Sequence, residues 1–283
     1  MAQLLKGLVV ANTLTEVLAE RAAALKEKNI TPTLAILRVG ERGDDIAYET
    51  GAMKRCAKVG IAVRQFLLKA DCAAEELLDT IRQINDDASI HGCLMFRPLP
   101  DQDMEEAACA LLAPEKDVDG MTSQSLAAVF TGEGAGYPPC TAQACMELLD
   151  YYGIDLQGKT VAVIGRSLVI GKPVSMMLQA RNATVTMCHT KTVNLAQTCQ
   201  NADILIVAAG RAGVVDSSFT APGQIVVDVG INVNAEGKLC GDVQFDEVEP
   251  VAAAITPVPG GVGSITTAVL AKHVIEAAER TAG

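Results

Sequence analysis

Val163-Ile164-Gly165-Arg166-Ser167-Leu168-Val169-Ile170-Gly171-Lys172-Pro173 is the stretch on which the fold turns. It continues Lys159-Thr160-Val161-Ala162, so a β-branched run enters a glycine turn and leaves it toward a helix. Such a turn aims backbone N–H groups and a helix N-terminus at a pyrophosphate. The glycine pattern departs from G-x-G-x-x-G, because Ser167 stands where the second glycine belongs. Taken alone, the segment also fits any tight strand-to-helix turn.

The residues downstream narrow the choice. Ala183–Cys188, Asp203–Ala209 and Ile225–Val229 read as further strands, at the spacing of a full dinucleotide fold. An NAD site usually ends its second strand with Asp or Glu, which binds the ribose 2′-hydroxyl. Here Cys188-His189-Thr190-Lys191-Thr192 follows instead. Hydroxyl and basic groups suit a 2′-phosphate, and Arg166 adds a planar donor fork. These residues point to NADP; the alternative is a solvated loop of ordinary surface lysine and threonine. Residues 232–242, centred on Asn234-Ala235-Glu236-Gly237, read as a β-hairpin. Ile255 opens a last strand before Pro257-Val258-Pro259-Gly260-Gly261-Val262-Gly263, and a helix runs from about Thr266 to Arg280. Pro100 and Pro259 both lie in proline-rich turns, so one of them is expected to follow a cis peptide bond.

Upstream, helices and strands alternate. Thr13-Leu14-Thr15-Glu16 has a capping-box pattern that predicts a helix start, continuing to about Lys28. Thr33–Val39 reads as a buried strand, Asp44–Val59 as a helix stopped at Gly60, and Ile61–Leu68 as a strand. Asp71 is a candidate cap for a helix whose Leu77, Ile81 and Ile84 share one face. Gly92–Phe96 reads as a third strand. Alternation of this kind implies a parallel α/β sheet. Residues 131–139 hold three glycines and two prolines and read as an interdomain connection.

The bulk properties fit. A chain of 283 residues is comfortable for two domains. The net charge of -11 disfavours a nucleic-acid partner. No run approaches the ~18 apolar residues of a membrane span, and Lys6 interrupts the early apolar stretch, so a cytoplasmic location without a membrane partner is expected. The nine cysteines form no C-x-x-C pair and are expected to be reduced and mostly buried. The three histidines lack metal-ligand spacing, so no metal is expected.

Several strings together resemble the bifunctional methylenetetrahydrofolate dehydrogenase/methenyltetrahydrofolate cyclohydrolase family. They are Gly165-Arg166-Ser167 with Gly171-Lys172-Pro173, Cys188–Thr192, Asp228-Val229-Gly230-Ile231-Asn232, and Thr256-Pro257-Val258-Pro259-Gly260-Gly261-Val262-Gly263. In the first half they are Lys116-Asp117-Val118-Asp119-Gly120 and Pro139-Cys140-Thr141. The resemblance runs nearly end to end. It implies an α/β protein of two domains with a cleft between them. Residues 1–140 would form a folate-binding catalytic domain, with the C-terminal helix 265–283 packing back on it. Residues 141–264 would form a Rossmann-type NADP-binding domain. It further implies a tetrahydrofolate derivative as partner, a place in one-carbon metabolism, and a homodimer joined through the nucleotide domain.

Carried over by position, the resemblance makes Tyr48 the cleft tyrosine that stacks on folate and Asp119 the carboxylate that binds the pterin. It assigns the cofactor to Gly165, Arg166, Ser167, Gly171, His189, Thr190 and Ile231. Pro259 and Gly260 join Tyr48 and Asp119 as substrate-binding residues. Core packing is the competing reading for Tyr48, and a turn residue before Gly120 for Asp119.

The chain departs from the family where hydrolysis is done. The family motif Ser-x-x-Tyr-Val-x-x-Lys, anchored on Tyr48 and on Cys56–Gly60, puts Asp45 in the serine place and Ala52 in the lysine place. Phe96 replaces the glutamine before Arg97-Pro98-Leu99-Pro100. Ala142 and Ser264 stand where proline is usual. The resemblance makes that lysine, held by the glutamine, the main hydrolytic group; a desolvated amine can titrate near neutral pH. Lys54 points roughly 200° away from position 52 and cannot substitute. The expected function is an NADP-dependent dehydrogenase for methylenetetrahydrofolate with little cyclohydrolase activity. Two others stay open: a non-catalytic folate- or nucleotide-binding homologue, and a dehydrogenase for a different substrate.

Overall fold

A computed structural model describes residues 1–282. The strands are β1 (Gln3–Leu4), β2 (Thr33–Val39), β3 (Ala62–Leu68), β4 (Gly92–Met95), β5 (Thr160–Ile164), β6 (Thr184–Cys188), β7 (Ile204–Val207), β8 (Ile225–Asp228), β9 (Asn232–Val233), β10 (Leu239–Cys240) and β11 (Ala254–Ile255). The helices are α1 (Gly7–Glu27), α2 (Gly43–Val59), α3 (Ala74–Asp86), α4 (Gln102–Leu111), α5 (Ser123–Thr131), α6 (Cys140–Tyr151), α7 (Gly171–Ala180), α8 (Leu195–Gln200), α9 (Phe245–Val248) and α10 (Thr266–Arg280). Two compact units divide the chain: residues 12–140 with 267–283, and residues 1–11 with 141–266.

The unit of residues 12–140 and 267–283 is built on a parallel sheet in the order β3-β2-β4. All seven residues of β2 are buried, as its central place requires. Leu77, Ile81 and Ile84 of α3 are fully buried in the same core as Leu37, Met95 and Leu112. Gly60 ends α2 with φ 91°, a conformation that favours glycine, and its N–H bonds the Cys56 carbonyl at 2.8 Å. Asp71 does not cap α3. That helix starts at Ala74 after a turn closed by Cys72 N–H on the Lys69 carbonyl.

The second unit carries a parallel six-stranded sheet in the order β1-β11-β8-β7-β5-β6. β9 and β10 form the hairpin expected at 232–242, with Gly237 at φ 73° in its turn. Two expectations about the N-terminus need correction. Residues 1–11 fall with the nucleotide-type sheet, because β1 pairs with β11 at Gln3–Ala254 and Leu4–Ile255. A two-residue strand is too short to show a period. α1 begins at Gly7, so the Thr13–Glu16 pattern lies inside the helix. The apolar run Leu8–Ala11 carries the helix upstream, with Val10 and Ala11 buried.

The nine cysteines are free thiols, six of them buried. No helix among the described residues is long and apolar enough to cross a membrane.

Candidate active site

The helix α2 carries the altered motif. Asp45, Glu49, Ala52, Cys56 and Val59 form its buried face, and Tyr48 is half-buried beside them. Ala52 is fully buried, whereas Lys54 is exposed. The Tyr48 ring meets the ring of Phe96 edge-on, with centroids 6.1 Å apart. An edge-to-face pair at this distance is a favourable aromatic contact. Phe96 follows β4 directly and its N–H bonds the Leu37 carbonyl at 3.0 Å, so the sheet itself fixes where the ring starts. Arg42, just before α2, donates to the Pro98 carbonyl at 3.3 Å. The start of α2 and the turn after β4 are therefore joined twice.

That turn has its own brace. Glu105 of α4 accepts from Leu99 N–H at 2.7 Å and faces Arg97 at 3.5 Å. The cis bond in it is Arg97–Pro98, not the one before Pro100. Phe96 shows no polar group to hold an amine, and no amine stands at position 52.

One residue that the sequence reading passed over is Glu49, in the valine place of the motif. It is 4% exposed and accepts from Arg38 Nε at 2.7 Å. Gln65 donates to its other oxygen, and Arg38 also donates to the Gly40 carbonyl. A buried pair needs this completeness to offset its desolvation. The available signal was Arg38, a charge in a strand that is otherwise apolar and buried throughout.

Within Lys116–Gly120 the labour divides. The Lys116 ammonium donates to the carbonyls of Ile84, Asn85 and Asp87 at 2.6, 2.8 and 2.8 Å, closing the end of α3. Asp117 is fully buried and accepts from Met121 N–H, Thr122 N–H and the Ser125 hydroxyl. Burial raises the Asp119 carboxyl to about 6, with the nearby Cys140 thiol acting against the rise. Gly120 has φ 67°, and a Cβ there would lie 2.4 Å from the Pro139 nitrogen, so its glycine is required.

Another unforeseen residue, His273 of α10, secures this loop. Its Nδ1 lies 2.8 Å from the Val118 carbonyl, which fixes it as the protonated, donating nitrogen. Burial lowers its imidazolium to about 4, so the ring is neutral at ordinary pH. It stacks on Tyr137, over which Arg280 places its guanidinium at 4.6 Å.

In the other unit, the turn 165–170 joins β5 to α7. A Cβ at Gly171 would meet the Gly165 carbonyl oxygen at 2.2 Å, so the turn closes only with glycine there. Arg166 and Ser167 are exposed, and no side chain caps α7 at Ile170. The Ser167 hydroxyl accepts from Ile170 N–H at 3.2 Å within the turn. At the end of β6, His189 Nδ1 accepts from Lys191 N–H at 3.1 Å, leaving Nε2–H as a donor. Thr190 and Lys191 are exposed, and no acid ends that strand. Ile231 is 66% exposed after β8. It borders a cavity of about 150 Å³ lined also by Pro257, Pro259, Gly260 and Gly263. Val258–Pro259 is cis, as expected of one of the two prolines.

Comparison with known proteins identifies this assembly of motifs. Residues 5–119 match the catalytic domain of tetrahydrofolate dehydrogenase/cyclohydrolase, and residues 139–282 match its NAD(P)-binding domain. The "Bifunctional protein FolD" of Clostridioides difficile is 49% identical, the alignment covering 97% of this chain and 96% of that protein. The FolD dehydrogenase/cyclohydrolase structure from Campylobacter jejuni superposes with a TM-score of 0.96 at 38% identity, over 99% of this chain and 100% of the other. The Trypanosoma brucei dehydrogenase-cyclohydrolase, solved with NADP cofactor and inhibitor, is 33% identical with a TM-score of 0.92, covering 99% and 98%. The chain belongs to the tetrahydrofolate dehydrogenase/cyclohydrolase family.

Proposed function

We propose that this protein oxidises 5,10-methylenetetrahydrofolate with NADP and releases the 5,10-methenyl product with little hydrolysis. The observation that carries this reading is the pair Ala52 and Phe96. Position 52 is fully buried and aliphatic, and position 96 presents a ring to Tyr48. Hydrolysis requires water to add to the methenyl carbon and a base to take its proton. Neither residue offers one.

The hydride step asks for alignment and charge control more than for an acid or base. Bound NADP supplies the hydride acceptor. Tyr48 is the stacking surface for folate. Asp119 accepts hydrogen bonds from the pterin's amino and ring N–H groups, which its carboxylate form requires. Pro259 and Gly260 complete the substrate contacts. The tight turn at Gly165, Ser167 and Gly171 receives the pyrophosphate. Arg166, His189 and Thr190 hold the 2′-phosphate, and the lack of an acid at the end of β6 supports NADP over NAD. Ile231 gives the cofactor an apolar border. Val233 and Leu239 of the hairpin, 64% and 51% exposed, support pairing with a second copy through the nucleotide half, which light scattering of the purified protein tests.

The deciding experiment supplies methylenetetrahydrofolate and NADP to purified protein. NADPH and methenyltetrahydrofolate should accumulate in equal amounts, with methenyl hydrolysis near its uncatalysed rate. Rapid hydrolysis of added methenyltetrahydrofolate would refute the reading.

A further inference from the structure

We infer that Asp45 is the counter-charge for the folate cation, an electrostatic role that the serine of the family motif cannot fill. The inference rests on the dehydrogenase reading above.

Asp45 lies in the first turn of the 17-residue helix α2. Its side chain is 9% exposed, so nine-tenths of it is out of water. Its ion-pair partner is Arg42, whose Nε stands 3.9 Å away, beyond hydrogen-bond range. The Arg42 side chain is 49% exposed, so solvent screens much of its charge. A buried carboxylate with so few donors is costly, and in a family enzyme it calls for a partner that arrives with the substrate.

Its position says which partner. Arg42, Asp45, Tyr48 and Ala52 run along one side of α2, at three- and four-residue spacing. Arg42 bonds the Pro98 carbonyl and Tyr48 packs on Phe96, so Asp45 lies between two contacts to the 96–98 turn. Hydride loss from the methylene bridge carries one hydrogen and two electrons to the nicotinamide of NADP. It leaves one positive charge shared over the N–C–N unit of the folate. The family's lysine, when charged, would oppose that charge, and here it is absent. Its loss removes one positive charge from this helix side, and Asp45 in place of serine adds one negative. Phe96 and Ala52 stand in place of two polar side chains of the family motif, and a charge acts over a longer range where polar groups are fewer. The rebuilt face thus favours formation of the cation and lacks the family's hydrolytic lysine.

The test compares ligands that differ in charge at that carbon. Calorimetric titration without NADP measures 5,10-methenyltetrahydrofolate, a cation, against 10-formyltetrahydrofolate, neutral there. Asp45→Asn should weaken methenyl binding roughly 10-fold or more and leave formyl binding unchanged. Asp45→Ser should do the same, so the outcome does not hang on one variant's folding. Asp44→Asn removes an exposed charge from the same helix turn and should change neither ligand. Single-turnover hydride transfer should slow by about 10- to 100-fold in Asp45→Asn. Equal affinities for the cation in parent and Asp45→Asn overturn the inference, as does equal weakening of both ligands. If the parent does not oxidise methylenetetrahydrofolate at all, the dehydrogenase reading fails instead, and the cation preference still judges Asp45.

Discussion

Glu49 stands one helical turn before Ala52 on the buried face of α2, with its carboxylate already bonded to Arg38 at 2.7 Å. A lysine installed at position 52 would stand at i,i+3 to this carboxylate, the spacing at which helix side chains pair. An ion pair raises the pKa of an amine, the opposite of what a hydrolytic lysine needs.

Restoring the family's pair as Ala52→Lys with Phe96→Gln should therefore recover only part of the cyclohydrolase activity. Adding Glu49→Gln keeps an acceptor for Arg38 but removes the charge. The triple variant should exceed the double at least tenfold in methenyl hydrolysis, within the ~10²–10⁴-fold range of positioned acid–base groups. Equal rates for double and triple variants would show that Glu49 does not hold the new lysine.

The Arg38–Glu49 pair also sets stability. Glu49→Ala leaves a buried guanidinium unpaired and should cost about 3–5 kcal/mol in urea unfolding. Arg38→Met with Glu49→Leu removes both charges and should cost clearly less. If the double variant loses as much as the single, packing rather than charge holds α2 to β2.

Asp119 ties folate affinity to pH. Its carboxyl is raised to about 6, so below that pH it is protonated and accepts poorly from the pterin. The KM for methylenetetrahydrofolate should rise as pH falls through 6 and stay flat above it. Stability runs the other way. The folded state holds this proton more tightly than the unfolded one, so the group's contribution falls between pH 4 and 6 and is unfavourable above. At pH 8 Asp119→Asn should lose folate binding while its Tm equals or exceeds the parent's. A lower Tm would mean that the carboxylate stabilises the loop.

Arg166 is exposed in the turn before α7. Arg166→Ala should weaken NADP about tenfold or more and NAD little, since a charged hydrogen bond to phosphate contributes roughly 1.5–3 kcal/mol. Parallel titrations of the two cofactors check it; an equal loss for both removes Arg166 from the 2′-phosphate.

The elements legible in the sequence were those whose burial is one-sided or complete over several residues. Thr33–Val39 and the face of Leu77, Ile81 and Ile84 are found where periodicity predicts them. Local cues misled where longer-range contacts decide. A capping pattern at Thr13 was overridden because α1 starts at Gly7, whose N–H bonds the Gly260 carbonyl at 2.8 Å. In the candidate site, Tyr48, Phe96 and Ala52 were legible once the family motif was laid in register on Tyr48 and Cys56–Gly60. Glu49 and His273 were not, because each is held by a partner on another element that the local pattern does not reveal. Arg38 sits in a run that reads as apolar, and His273 reaches a carbonyl 155 residues away.

The pairing of β1 with β11 bears on how the nucleotide half can be handled in isolation. A fragment beginning at residue 141 would lack β1, and the Ala253 and Ile255 carbonyls would lose the N–H groups of Gln3 and Leu5 and stand bare on an open sheet edge. Such a fragment is primed for strand exchange between copies. The half is therefore no self-sufficient cassette: grafting it elsewhere means bringing along its first eleven residues, or a substitute strand to seal that edge.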